Sequence, residues 1–484
     1  MQLTCNSNLI NKIKNSDIFE TLRHSKNYFS ADVATKALGF ISIPIFTRLF
    51  TQEDYGIIAV FTSYIGIITI VFSLNLHGAV GRYCLEKKDD LDEFIGTSLF
   101  SVGLILCLTI PIFIVFNKKI ITLMKLPNAL FIYIIFYCLF EIIFSVYGQI
   151  LINKRMSKEY ALINILKGYI SFGVVVLFVY LLKENRYLGR IWGGFLINFF
   201  FSIYFILRIL KFSRFVFRIE HLKYILNYAI PLIPYSLSGI ILAQFDRIMI
   251  NDIVGTSSAG LYSLGYNIGM LLLLVNSATL SALGPDFVKF LDKKEYSRVD
   301  SLLEKVFYIG LIAALGLILF AKEIGIILVD EKFHEGLKVV PIVVIGYVFY
   351  EMYYMYGMYP GYQKKTVFAS IVVIFSGILN IILNAIFIPK YGYIAAAYTT
   401  LISYFVMFVM AWIVSKYVLK QRITPLWIIW KPTLIMFSFI ACAYLLGNLD
   451  LNIILFIVIK IILLALFSFI VFHKEIRVIL HLNK

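Results

Sequence analysis

The sequence predicts an all-α polytopic membrane protein of about fourteen spans: two six-helix lobes in parallel repeat, plus two further helices at the C-terminal end. Three observations predict it. Apolar segments long enough to span a bilayer follow one another through the chain. Basic residues favour alternate loops. Charged residues recur at matched places in the two halves.

The 484 residues are 61% hydrophobic and only 15% charged, with a mean hydropathy of +0.88. A soluble protein of this length could not hide so much apolar surface. Backbone groups in hydrocarbon must pair internally, so each segment is a helix or part of a closed barrel. Barrel strands alternate over about 10 residues; these segments are longer and do not alternate, so they are helices. A span needs roughly 20 mostly apolar residues. In order they fall at Tyr28–Phe50, Gly56–Gly81, Ile95–Phe116, Asn128–Leu151, Tyr160–Leu182, Leu188–Leu210, Asn227–Ile250, Ala259–Leu283, Leu302–Ala321, Leu337–Tyr359, Thr366–Ile388, Tyr393–Ser415, Leu426–Leu446 and Leu451–Phe472. The expected organisation is an N-terminal arm (1–27), an N-lobe (28–215), a C-lobe (216–420) and an added helix pair with a tail (421–484).

The net charge is +16. In a membrane protein this reflects the excess of Lys and Arg in cytoplasmic loops and does not imply nucleic acid. With the N-terminus inside, about 29 Lys and Arg fall on that side and about 10 on the other. The loop Arg208–Lys223 and the segment Lys289–Lys305 are the basic inner ones, and Lys322–Lys338 is the acidic outer one. Both termini are therefore expected in the cytoplasm. The arm, with Lys12, Lys14, Arg23 and Lys26, has no apolar core and does not read as a signal peptide. Cys5, Cys84, Cys107, Cys138 and Cys442 form no CxxC pair, so neither disulfides nor a metal site are expected. Without a Gly-rich phosphate loop and Lys, no ATPase is built in. No catalytic constellation or cofactor site is present, and the loops are too short for a glycosyltransferase domain.

Three matches relate the halves. Thr47-Arg48 closes span 1 and Asp246-Arg247 closes span 7. Glu141 in span 4 precedes Lys154-Arg155 by thirteen residues, as Glu351 in span 10 precedes Lys364-Lys365. Arg186-Tyr187-Leu188-Gly189 opens span 6 as Lys390-Tyr391-Gly392 opens span 12. An offset of six spans keeps the orientation, so the halves should be related by an axis along the membrane normal. The small-residue runs Gly189–Gly194 and Gly392–Ala397 should let helix backbones approach closely.

Charges inside spans are costly and mark functional candidates. Arg48 and Arg247 lie near the outer ends of their helices. They can snorkel to the headgroups, or converge on a shared cavity and bind phosphate with their forks. Asp246 should pair with another helix. Lys36 stands one turn from Asp32, an i,i+4 pair; with Lys167 it could instead attract an anion from the inner side. Lys460 belongs to the added pair and reads as peripheral. Glu141 and Glu351 lie near mid-span, where a carboxylate cannot snorkel. They either balance cavity arginines or carry a proton for coupling. Tyr347, Tyr350, Glu351 and Tyr354 share one helix face by spacing, suited to ordinary packing or to glycan contact.

The stretch Pro44-Ile-Phe-Thr-Arg48-Leu-Phe-Thr51 with Asp54-Tyr55-Gly56 resembles the opening of the Wzx-type polysaccharide flippases. Asp246-Arg247-Ile-Met-Ile250 with Ala259-Gly260-Leu-Tyr-Ser263 resembles their seventh helix, and Pro389–Tyr404 their twelfth. The family belongs to the multidrug/oligosaccharidyl-lipid/polysaccharide exporter superfamily. The resemblance implies two lobes in a V around a central cationic cavity, with access alternating between the membrane faces. It implies a cargo of O-antigen oligosaccharide on undecaprenyl pyrophosphate, moved from the cytoplasmic to the periplasmic leaflet of the bacterial inner membrane. Partners would be the lipid-linked cargo, membrane lipids, and an O-antigen polymerase with its chain-length regulator. Arg48, Arg247, Lys36 and Lys167 would supply the cavity's positive charge. Capsule, teichoic-type or peptidoglycan precursors, or a cationic drug, are the alternative cargoes on the same fold. A membrane glycosyltransferase or polymerase would need a large periplasmic loop, which the spans do not leave.

Overall fold

The computed structural model describes residues 17–86, 90–449 and 452–482. They form fourteen long helices: α1 (Asp17–Leu49), α2 (Gln52–Ser73), α3 (Leu91–Val115), α4 (Leu130–Asn153), α5 (Ser157–Leu181), α6 (Arg186–Phe212), α7 (Ile219–Ile253), α8 (Thr256–Gly269, resumed as Leu272–Asp292), α9 (Tyr296–Leu319), α10 (Val340–Tyr362), α11 (Thr366–Tyr391), α12 (Tyr393–Ile413), α13 (Leu426–Gly447) and α14 (Ile453–Leu482). Thirteen of the helices are long and apolar enough to cross a membrane; α1 contains the first predicted span. Residues 1–16 lie outside the described residues, and α1 is already helical from Asp17. No Gly or Pro interrupts the stretch from Asp17 to Ala37, so nothing stops the helix from extending below the apolar span.

The chain divides into two compact units, Met1–Leu237 and Ser238–Lys484. The division falls inside α7, later than the 215/216 boundary read from the sequence. The reason is packing at the start of α7. Tyr83 stacks on Phe94 with centroids 3.7 Å apart, and His221 and Tyr224 meet both rings edge-on. Asp90 accepts from the Tyr83 hydroxyl at 2.7 Å and lies 3.0 Å from His221 Nε2. The Tyr83 hydrogen bond, with His221 behind it, holds the Asp90 carboxyl below its usual range. Arg218 pairs with Glu93, and Arg214 with Asp92 at 3.1 Å. The first turns of α7 thus belong to the first unit. Pro231 and Pro234 then remove backbone donors from the helix just before the division.

The helix pairings of the first unit recur six helices later. α1 packs on α5, α2 on α4, α4 on α6 and α5 on α6; α7 packs on α11, α8 on α10, α10 on α12 and α11 on α12. Each unit thus repeats the same pairings, as the three sequence matches led one to expect. The added helices α13 and α14 pack on each other and on α9. Lys460 of α14, itself buried, forms a part-buried 2.6 Å ion pair with Glu323, tying the addition to the segment after α9.

The first small-residue run does what its composition suggests. A Cβ on Gly189 would sit 2.8 Å from the Phe178 and Val179 backbone, and one on Gly193 would sit 2.9 Å from Val175 Cα. In the second run Gly392 serves the turn between α11 and α12, with φ +70°. Ala395, Ala396 and Ala397 behind it are buried.

The Arg48–Gly56 segment also has a local structural purpose. Thr51 and Asp54 form a reciprocal capping box at the start of α2. Asp54 additionally accepts from the Tyr187 backbone N–H at 3.2 Å, and Arg186 donates to the Leu49 carbonyl at 2.6 Å. One acidic cap therefore joins the α1–α2 corner to the start of α6.

Candidate functional site

A closed polar ring lies in the second unit, where α7, α8, α11 and α12 meet. Its centre is Asp246, which is fully buried. Oδ2 accepts from the Tyr262 hydroxyl at 2.5 Å and from Thr400 Oγ1 at 2.7 Å; Oδ1 accepts from Asn384 Nδ2 at 2.7 Å. Asn384 also donates to Asn380 at 3.1 Å, Asn380 donates to Thr400 at 3.2 Å, and Thr399 donates to the Asn384 side-chain carbonyl. All these side chains are buried. Among the described residues every hydrogen-bond donor to this carboxylate is neutral. Asp246 does pair with other helices, as expected, but through hydroxyls and amides rather than a cation.

The local backbone prepares this arrangement. The turn Ile241–Phe245 is π-helical and ends where Asp246 begins. A π turn inserts one extra residue and rotates the helix beyond it, and here it delivers Asp246 to the ring. Arg247, one residue on, caps the Ala243 carbonyl of that turn at 2.7 Å. Its guanidinium lies over the Tyr266 ring, 4.7 Å from the centroid. Arg48 makes the same bond one repeat earlier, donating to the Pro44 carbonyl at 2.7 Å. The two differ in surroundings: Arg48 is exposed and Arg247 is only 7% exposed. The residue before each also differs. Thr47 is buried and spends its hydroxyl on the Ile43 carbonyl at 2.8 Å, whereas Asp246 organises four helices.

The tyrosine face of α10 is split. Tyr347 donates to the Tyr266 hydroxyl at 3.0 Å, and the Tyr266 and Tyr404 hydroxyls are 3.4 Å apart. Tyr350 meets Tyr404 edge-on at 5.2 Å. These rings extend the Arg247–Tyr266 contact into a chain of phenols. Tyr354 is exposed, and Glu351 points elsewhere. Its carboxylate packs into the notch left by Gly310 of α9, with buried Asn276 as the polar group within reach. Among the described residues neither carboxylate oxygen makes a well-formed hydrogen bond. Glu141, its repeat counterpart, is half-buried. Its field acts on Lys167, whose ammonium lies over the Phe144 ring at 4.0 Å. The side chains of Lys36 and Asp32 lie outside the described residues.

The structure thus brings together Asp246, Arg247, Tyr347 and Tyr350, and separately Glu141 with Lys167. It adds Tyr262, Tyr266, Asn380, Asn384, Thr399, Thr400 and Tyr404, which sequence reasoning did not assign. A signal existed: Asn380 and Asn384 stand one turn apart in an otherwise apolar span, and Thr399-Thr400 faces the same depth in the next.

Fold and repeat define the class as a two-unit, multi-span helical membrane protein. Residues 23–291 match the family described as polysaccharide biosynthesis protein, and the chain belongs to that family. The probable low-salt glycan biosynthesis flippase Agl15 of Haloferax volcanii is 22% identical over 79% of this chain and 80% of its own length. The Lsg locus putative protein 1 of Haemophilus influenzae is 25% identical over 57% and 68%. Among solved structures, the lipid II flippase MurJ in an inward closed conformation superposes with a TM-score of 0.70 at 19% identity, covering 93% of this chain and 99% of MurJ. A multidrug resistance MATE transporter of the MOP superfamily superposes at 0.60 and 17%, covering 80% and 94%. The fold is therefore that of the multidrug/oligosaccharidyl-lipid/polysaccharide exporters.

Proposed function

We propose that this chain is a flippase that moves a lipid-linked oligosaccharide between membrane leaflets by alternating access of its two repeat units. The observation that carries the proposal is the family match, set on a fold whose two halves repeat Arg48 and Arg247 in the same local geometry. Two guanidinium forks suit the pyrophosphate of an undecaprenyl carrier. The cargo we favour is an O-antigen repeat unit, carried from the cytoplasmic to the periplasmic face of the inner membrane. Lys36 and Lys167 would add to the field that draws the anion in. Glu141 and Glu351 would balance charge or carry the coupling proton, and Tyr350 and Tyr354 would meet the glycan. Tyr347 is engaged with Tyr266 and would act through it.

Reconstitution tests the function. Vesicles holding the purified chain and a fluorescent undecaprenyl-pyrophosphate oligosaccharide should show protein-dependent exposure of the label on the opposite face. Rates equal to those of protein-free vesicles, from folded protein, would reject the reading. The same vesicles separate the two roles of the glutamates. Glu141→Gln and Glu351→Gln should slow flipping; if either carries the proton, its variant also loses the response to an imposed pH gradient. Wild-type rates at every gradient would make both residues structural.

Topology is tested by cysteine labelling in intact cells. A cysteine at Glu331 should react with an impermeant thiol reagent, and one at Lys293 should not. The reverse pattern would invert the assignment of cytoplasmic termini.

A further inference from the structure

A cavity of about 300 Å³ lies wholly within the first unit, among α1, α2, α4, α5 and α6. Among the described residues its lining holds one cation, Arg190, and no acid. Arg190 sits about one turn inside the start of α6, roughly 6 Å along the axis. Its guanidinium stacks on the Phe46 ring, 5.0 Å from the centroid. It makes no hydrogen bond or ion pair to any described residue. One face of the fork is thus backed by an aromatic ring while its N–H edges stay unpaired. This differs from Arg186 in the same helix, which donates to two backbone carbonyls.

The rest of the lining is pre-arranged. Tyr137 donates to the Ile191 carbonyl at 2.8 Å, and its oxygen lies within reach of the Asn198 amide. Ser42 and Thr62 likewise donate to backbone carbonyls, at 2.6 Å and at 2.9–3.0 Å. Gly194 makes this possible: a Cβ there would lie 2.5 Å from the Tyr137 hydroxyl. Among the described residues the cavity therefore offers unpaired donors on Arg190 and the hydroxyl oxygens of Ser42 and Thr62 as acceptors. A cation inside a span without a counter-ion is costly. An oxyanion on the fork offsets that cost, and hydroxyls beside the oxyanion suit the acceptors. The volume matches the small end of ligand pockets, about 300–1,000 Å³.

We infer that this cavity is a binding site for a phosphate-type oxyanion attached to a sugar- or glycerol-sized hydroxylated group, with the Arg190 fork as its anchor. The site is distinct from Arg48 and Arg247, neither of which lines it. The inference does not depend on which cargo the protein flips. Two sources share this chemistry: the pyrophosphate end of a lipid-linked glycan and the headgroup of an anionic phospholipid.

Native mass spectrometry of the purified full-length chain tests it, with undecaprenyl pyrophosphate, phosphatidylglycerol and, as a phosphate-free control, undecaprenol. Wild type should retain one phosphate lipid that R190Q loses, with at least a tenfold fall in affinity for that equivalent. R190K should fall at least threefold, since an ammonium lacks the bidentate fork. S171F, which fills the cavity and leaves Arg190 in place, should behave like R190Q. Undecaprenol binding should not change. The R48A/R247A chain should keep this equivalent. Loss confined to phosphatidylglycerol identifies a lipid site; loss confined to undecaprenyl pyrophosphate identifies a cargo site; either supports the inference. Unchanged phosphate-lipid binding in folded R190Q and S171F overturns it. If neither variant folds, unchanged binding by R190K overturns it alone.

Discussion

Asp246→Ala should lower the melting temperature of the detergent-solubilised protein by about 10 °C and sharply reduce its level in the membrane. The change removes the acceptor of three buried donors, on Tyr262, Asn384 and Thr400. Leaving buried neutral donors without an acceptor costs about 1–3 kcal/mol each, so three of them give at least about 3 kcal/mol. At roughly 2–4 °C per kcal/mol for units of this length, that gives the stated shift. Asp246→Asn should recover part of the loss. Its remaining oxygen can still accept from Tyr262 and Thr400, but its amide then meets the Asn384 amide donor. Asn384 cannot simply turn over, because Thr399 donates to its carbonyl oxygen. Thr47→Ala, at the matching place in the first unit, should cost less, about 1 kcal/mol, since its hydroxyl bond to the Ile43 carbonyl lies within one helix. Wild-type melting of Asp246→Ala would show that the ring is not what joins these four helices.

The double variant R48A/R247A should retain less than about 1% of wild-type flipping while remaining in the membrane. Two charge-assisted hydrogen bonds to a pyrophosphate at about 1.5 kcal/mol each give roughly 3 kcal/mol, or about 100-fold. Of the single variants, Arg247→Ala should be the more severe. It also uncaps Ala243 in the π turn and frees the Tyr266 face. Arg48 is exposed and holds one carbonyl, so its removal should spare the melting temperature. Lysine at both positions should restore only part of the flux, because it keeps charge without the fork. Flux equal to wild type in the double alanine chain, with normal protein levels, would remove both arginines from the transport path.

The sequence was sufficient for class, span count and repeat. Each rests on a local signal: apolar length needs no partner to be read, and a repeat of Thr47-Arg48 in Asp246-Arg247, or of Glu141 in Glu351, is visible as spacing. The approach of α5 to α6 was legible for the same reason, since glycines at one-turn spacing announce a close contact before the partner is known.

What the sequence left open depends on residues far apart in the chain. Asp246 and Arg247 are neighbours, yet Asp246 turns into a ring of Tyr262, Asn384 and Thr400, while Arg247 stacks on Tyr266. The π turn before them sets those directions, and π turns have no reliable sequence signature. Glu141 and Glu351 stand at equal spacing from a basic pair, but only Glu351 is fully buried. The difference lies in its neighbours: Gly310 of α9 makes room for the carboxylate, and the added helices pack on α9. Arg190 sits inside a glycine-rich motif that reads as a packing surface, and only the convergence of five helices opens a cavity at its fork. A charge inside a span declares its cost in the sequence; which side chain or ligand answers it is decided by the tertiary packing.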